Sequence, residues 1–89
     1  MNAPALRVLI VDDEPIARRR LKTRLKGEPS VDIVGESEDG ESALDAIRRL
    51  HPDLVFLDVQ MPGLDGLDVV DTIGPDQMPA TIFTTAFDQ

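Results

Sequence analysis

Four short apolar runs divide the chain, and between them lie segments whose apolar residues recur at helical spacing. Leu6 to Val11 is rich in Leu, Val and Ile with only Arg7 at its edge, the composition of a strand covered on both faces. Pro15 pre-sets a first helical turn, and Ile16, Ala17, Leu21 and Leu25 follow as its apolar face until Gly27, which offers a left-handed stop. The opposite face carries Arg18, Arg19, Lys22 and Lys26. Glu28-Pro29-Ser30 reads as a turn into a second, more exposed strand that starts at Val31 and ends near Glu36-Ser37. Asp39-Gly40 turns the chain, and Glu41 opens a second helix whose Ala43, Leu44, Ile47 and Leu50 share a face before His51-Pro52 ends it. Leu54-Val55-Phe56-Leu57 is the third strand. Met61-Pro62-Gly63-Leu64-Asp65-Gly66 is too rich in Pro and Gly to be helical, a short helix follows through Val69, Val70 and Ile73, and Thr81 to Thr85 forms the fourth strand.

The resulting order is βαβαβαβ. Strands that alternate with helices through right-handed crossovers give a parallel sheet with helices on both faces, a doubly wound α/β domain. Ligand sites in such sheets lie beyond the carboxyl ends of the strands. Two apolar runs end there in acid: the first in Asp12-Asp13, the third in Asp58. If these strands are neighbours, three carboxylates meet at one edge. Crowded carboxylates repel one another and retain protons unless a cation joins them. The economical reading is a Mg²⁺ site built around a nucleophilic aspartate.

Composition narrows the picture further. The 89 residues support one small domain, and 42% hydrophobic content is that of a globular chain. A formal charge of -8 argues against a nucleic-acid or membrane surface on this segment. The absence of cysteine removes disulfides, thiolate metal sites and thiol nucleophiles. Met1-Asn2-Ala3-Pro4 does not open a secretory leader, and no apolar run reaches the length of a membrane span, so a cytoplasmic location is expected.

The segments VLIVDDEP, LVFLDVQMPGLDG and IFTTAF, in this order and spacing, resemble the receiver domain of two-component response regulators. The resemblance implies a flavodoxin-like sheet of order 2-1-3-4. It further implies that Asp58 accepts a phosphoryl group from a sensor histidine kinase or a small phosphodonor. Mg²⁺ would then be held by Asp13, Asp58 and the backbone carbonyl of Gln60, with Asp12 acting directly or through water. Thr85 matches the hydroxyl that bonds a phosphoryl oxygen, and Thr84 is its out-of-register neighbour. Glu14-Pro15-Ile16-Ala17-Arg18 together with Thr85-Ala86-Phe87-Asp88-Gln89 is similar to receivers that precede LytTR-type DNA-binding domains. In that subgroup the full-length protein regulates transcription, touching DNA only through an output domain this chain lacks.

One element of the resemblance is missing. The family carries a lysine at the end of a fifth strand, whereas the lysines here are Lys22 and Lys26 on the first helix. Residues 1–89 are therefore expected to form a receiver lacking the fourth helix, fifth strand and fifth helix. Loss of those elements would uncover the fourth strand around Ile82 and Phe83, and an open apolar edge favours a homodimer or an exchange of elements between copies. The alternative function is such an oligomerising module with impaired phosphorylation.

Plainer explanations compete at each position. Asp12-Asp13 alone would read as a solvated turn capping the first helix. His51 reads as a solvent-facing residue complementing a helix dipole. Arg18-Arg19-Arg20 reads as a solvated face, or as a kinase docking contact. A haloacid-dehalogenase-type phosphatase would need a second Asp two residues after Asp58, where Gln60 stands. A nucleotide-binding module would want a glycine-rich turn after the first strand, where Asp12-Asp13-Glu14-Pro15 place negative charge.

Overall fold

The computed structural model describes residues 4–85. Its elements are β1 (Leu6–Val11), α1 (Pro15–Lys26), β2 (Val31–Ser37), α2 (Gly40–Leu50), β3 (Leu54–Asp58), α3 (Gly66–Ile73) and β4 (Ala80–Thr84). All strand pairs are parallel and the order is β2-β1-β3-β4. This is the flavodoxin-like, doubly wound α/β sheet of order 2-1-3-4 expected from the sequence. The chain leaves β1 for β2 on one side and returns to β3 on the other, so the strand order reverses at the carboxyl ends of β1 and β3. That reversal opens a crevice there.

The two central strands are the driest part of the molecule. Val8, Leu9, Ile10, Val11, Val55 and Leu57 are all almost wholly buried, each burial worth about 1.5–3 kcal/mol. Alternation along the strands sends Leu9, Val11, Val55 and Leu57 into one cluster with Ala43, Ala46 and Ile47 of α2, Met61, and Val69 of α3. The other face meets α1, where Ile10 and Phe56 line a groove with Ala17 and Leu21. That groove has a volume of about 740 Å³.

The caps follow local chemistry. Asp39 caps α2 by accepting from the Ser42 N–H at 2.7 Å, and this hydrogen bond holds its carboxyl below the usual range. Asp65 and Asp68 cap α3 reciprocally, each side chain accepting from the other's backbone N–H. His51 closes α2 in a left-handed conformation (φ 48) immediately before Pro52, and it is exposed as expected.

Two expectations for α1 are corrected. Gly27 has φ -83, so the helix ends without a left-handed residue. Ile16 is 62% exposed, and α1 buries no residue fully. Its apolar face lies over a sheet surface on which, among the described residues, no second helix packs beside it. The expected strand end at Thr85 also moves back one residue, because pairing with β3 stops at Thr84.

Candidate functional site

β1 and β3 lie side by side in register, Val11 opposite Leu57, so the residues that follow each strand emerge together. Asp58 is the last residue of β3 and is 5% exposed. Asp12 and Asp13 sit half-buried in the turn between β1 and α1. One carboxylate oxygen from each of the three lies within 4.8 Å of the others. Residues separated by 46 positions in sequence thus form a single acidic cluster at the crevice.

Backbone hydrogen bonds fix one oxygen of Asp58 and one of Asp12. Asp58 Oδ1 accepts from the Gln60 N–H at 3.0 Å, and Asp12 Oδ1 accepts from the Glu14 N–H at 2.9 Å. The second bond belongs to the turn that leads into α1, so the plain reading of Asp12 as a turn residue holds for one of its oxygens. Glu14, the N-cap residue, makes no side-chain capping bond.

Burial pushes the Asp58 carboxyl up to about 6 from 3.8, and the neighbouring charges of Asp12 and Asp13 add to it against the Gln60 N–H. A buried anion facing two more anions is a site short of positive charge. Such a cluster, made only of hard oxygen donors, is able to hold a metal cation.

Thr84 stands in register with Asp58, and the Thr84 carbonyl accepts from the Val59 N–H at 3.0 Å. Thr85 is one residue further on, exposed, and lines the α1-side groove together with Asp12, Asp58 and Thr84. Gln60 is exposed directly after the strand, with its N–H committed to Asp58. Lys22 is not at the cluster, since its Nζ pairs with Glu36 at 2.9 Å. Residues Ala86 to Gln89, half of the LytTR-type resemblance, and residues 1–3 of the expected leaderless start lie outside the described residues.

Sequence reasoning missed Arg18. Only Arg19 and Arg20 of the arginine triplet form a solvated face, whereas the Arg18 side chain is 17% exposed and reaches the Asp12 carbonyl. No local signal marks it, because its ion-pair partner Glu36 is supplied by β2. The role of Gly66 was equally unmarked: it begins α3 hard against the backbone of Asp58.

A parallel sheet of this order with a three-aspartate cluster at its switch point defines a doubly wound α/β module with an acidic site. Residues 8–89 match the family described as the response regulator receiver domain, and the chain belongs to that family. It is 45% identical over 84 residues to the transcriptional regulatory protein BtsR of Salmonella typhi, covering 94% of this chain and 35% of that protein. An uncharacterised response regulatory protein of Yersinia pestis is 48% identical over the same shares. The chain thus spans about a third of the length of these relatives. Among solved structures, the signal receiver domain assigned to the response regulator NarL of Mycobacterium tuberculosis superposes with a TM-score of 0.86 at 34% identity, over 98% of this chain and 71% of that one. The response regulator domain of Thermotoga maritima CheB gives 0.83 at 32% identity, over 91% and 60%. No helix among the described residues is long and apolar enough to cross a membrane.

Proposed function

We propose that this receiver domain accepts a phosphoryl group on Asp58 from a sensor histidine kinase, and that it controls transcription through a DNA-binding output domain in the full-length regulator. The observation that carries this reading is the convergence of Asp12, Asp13 and Asp58 within 4.8 Å. In the step itself, an Asp58 carboxylate oxygen attacks phosphorus while the bond from phosphorus to the donor nitrogen breaks, and the departing imidazole takes a proton. An acyl phosphate on Asp58 results. At pH 7 Asp58 is largely ionised, yet more basic than an ordinary aspartate, which favours attack.

Asp13, Asp58 and the Gln60 carbonyl would hold Mg²⁺, with Asp12 direct or through water. When bound, the cation supplies charge neutralisation for the developing phosphoryl transition state. The Thr85 hydroxyl, on the same groove as Asp58, would donate to a phosphoryl oxygen. The lysines of this sequence are both on α1, so a lysine opposing the phosphoryl group must come from outside these 89 residues. A fixed donor at developing charge contributes roughly 3 kcal/mol, and phosphorylation of this segment alone should be correspondingly slow. The domain is read as a cytoplasmic signalling partner and not as an enzyme acting on outside substrates. Its similarity to LytTR-type receivers points to that class of output domain.

The test is intact mass after incubation with acetyl phosphate and Mg²⁺, comparing the parent with Asp58→Asn. One phosphoryl adduct on the parent alone is expected. An adduct on both, or adduct formation unaffected by chelation of Mg²⁺, would refute the assignment.

A second reading, of an oligomerising module, is favoured by a specific observation. Among the described residues β4 pairs only with β3 and stands at the sheet edge, and its Ile82 and Phe83 are each 47% exposed. Such an edge favours pairing with a second copy.

A further inference from the structure

We infer that Arg18 is a positioning residue for the cation site: it fixes the peptide between Asp12 and Asp13 and so aims both carboxylates. This deepens the phosphoacceptor reading and rests on it. The Arg18 Nη1 donates to the Asp12 carbonyl oxygen at 2.7 Å, while its Nε donates to Glu36 Oε1 at 3.3 Å. A planar guanidinium reaches the two acceptors from separate nitrogens in a fixed fork, whereas an ammonium offers its donors from a single, rotating nitrogen. The side chain is only 17% exposed, so these bonds form with little competition from water.

Residue 12 is thereby held from three directions. Its N–H donates to the Ser37 carbonyl at 3.0 Å, tying the turn to β2. Its Oδ1 accepts from Glu14, and its carbonyl accepts from Arg18. The peptide that carries the Asp12 carbonyl also carries the Asp13 N–H, so fixing that oxygen fixes the rotation of the peptide and the direction in which Asp13 leaves the chain. Without Arg18 that peptide is free to rotate, and mutual repulsion among Asp12, Asp13 and Asp58 favours splaying them apart.

Glu36 makes the device directional. Its carboxyl lies below the usual range because Lys22 hydrogen-bonds to it, with Arg18 adding. It therefore stays ionised and offsets most of the Arg18 charge. What Arg18 delivers to the acidic turn is geometry more than net positive field. Lys22 shares Glu36 through a separate oxygen, Oε2 at 2.9 Å, and makes no bond to the turn. It is the natural control.

The experiment uses the 89-residue chain and Mg²⁺ alone as probe. Binding is measured by calorimetry for the parent, Arg18→Ala, Arg18→Lys and Lys22→Ala, alongside thermal unfolding in chelator. Metal-free NMR then follows the Asp12 carbonyl carbon and the Asp13 amide. Removing an outer partner of a metal ligand weakens binding about 10–100-fold. Arg18→Ala is expected to fall in that range with both resonances displaced, Arg18→Lys to recover part of the loss, and Lys22→Ala to bind like the parent even if it unfolds earlier. Equal Mg²⁺ affinity of Arg18→Ala and parent would overturn the inference, as would a loss matched by Lys22→Ala. Should Arg18→Ala fail to fold, Arg18→Lys decides alone, and parent-like affinity and resonances in it would overturn the need for the two-armed guanidinium. A parent that binds no Mg²⁺ refutes the cation reading instead. The metal-free resonances then judge the positioning, sustained if they move in Arg18→Ala and overturned if they do not.

Discussion

The backbone of Gly66 packs directly on the carbonyl of Asp58: a Cβ at Gly66 would come within 2.5 Å of that oxygen and 3.1 Å of the Val59 Cα. The Gly66 N–H also donates to the Val59 carbonyl at 3.1 Å. The start of α3 is thus seated on the end of β3, and the absence of a side chain at position 66 sets how closely the helix can approach the buried carboxylate.

Gly66→Ala should therefore cost about 1–3 kcal/mol, since the obstructing atoms are backbone and cannot rotate away. Gly63 makes a useful contrast, because its Cβ would meet nothing within 4 Å while its φ is +73. Gly63→Ala should cost about 1–2 kcal/mol through backbone strain alone. Denaturant unfolding gives both values. Only Gly66→Ala is expected to shift the Asp58 resonances as well.

The pH dependence of stability follows from Asp58. Its folded value of about 6 exceeds the ordinary 3.8, so between these two values the folded state holds more protons than the unfolded chain. The contribution is fully present below 3.8 and is lost as pH rises through 6. At pH 7 without divalent cations, Asp58→Asn should be more stable than the parent by about 3 kcal/mol, a shift from 3.8 to about 6 converting at roughly 1.4 kcal/mol per unit. Below pH 4, about the ordinary carboxylate value, the difference should vanish. Paired urea titrations at the two pH values measure it.

Divalent cations should offset part of that penalty. If the three-carboxylate cluster binds Mg²⁺, addition at about ten times Kd should stabilise the parent by about 1.4 kcal/mol. Chelator should remove the gain, and Asp13→Asn or Asp58→Asn should abolish it. Unfolding midpoints with and without Mg²⁺ provide the readout.

The α3 cap is expected to matter beyond its own helix. Asp65→Ala removes one half of the reciprocal Asp65–Asp68 pair and should cost about 1 kcal/mol. Because α3 begins against Asp58, hydrogen exchange is expected to quicken at residues 59–66 as well as within the helix.

The β4 edge predicts association that depends on concentration. Ile82→Lys or Phe83→Glu places a charge on a strand edge and should reduce self-association, as read by light scattering across a dilution series. A parent that remains monomeric at high concentration would refute the oligomerising reading.

Periodicity alone placed every strand and helix to within a residue or two, because strand and helix spacing leave their marks locally: the β-branched run at residues 6–11, the apolar face from Ala43 to Leu50, the Pro and Gly loop after Met61. The order βαβαβαβ and the acids ending two of the runs implied three carboxylates at one sheet edge if the two strands were neighbours, and the order 2-1-3-4 that makes them neighbours came from family resemblance. Other features depended on partners distant in sequence. Ile16 lies exposed because burial of a helix face requires a covering neighbour, which spacing does not report. Arg18 leaves the solvated face because Glu36 and the Asp12 carbonyl arrive beside it only after β2 pairs with β1. Gly66 read as the end of the Pro- and Gly-rich loop, and its need to be glycine is set by the Asp58 backbone it meets. The chain alone determined its elements and its candidate chemistry, since both are written in local residue type. Tertiary structure decided which side chains are dry, which are paired and how closely backbones approach, since those depend on distances between segments far apart in sequence.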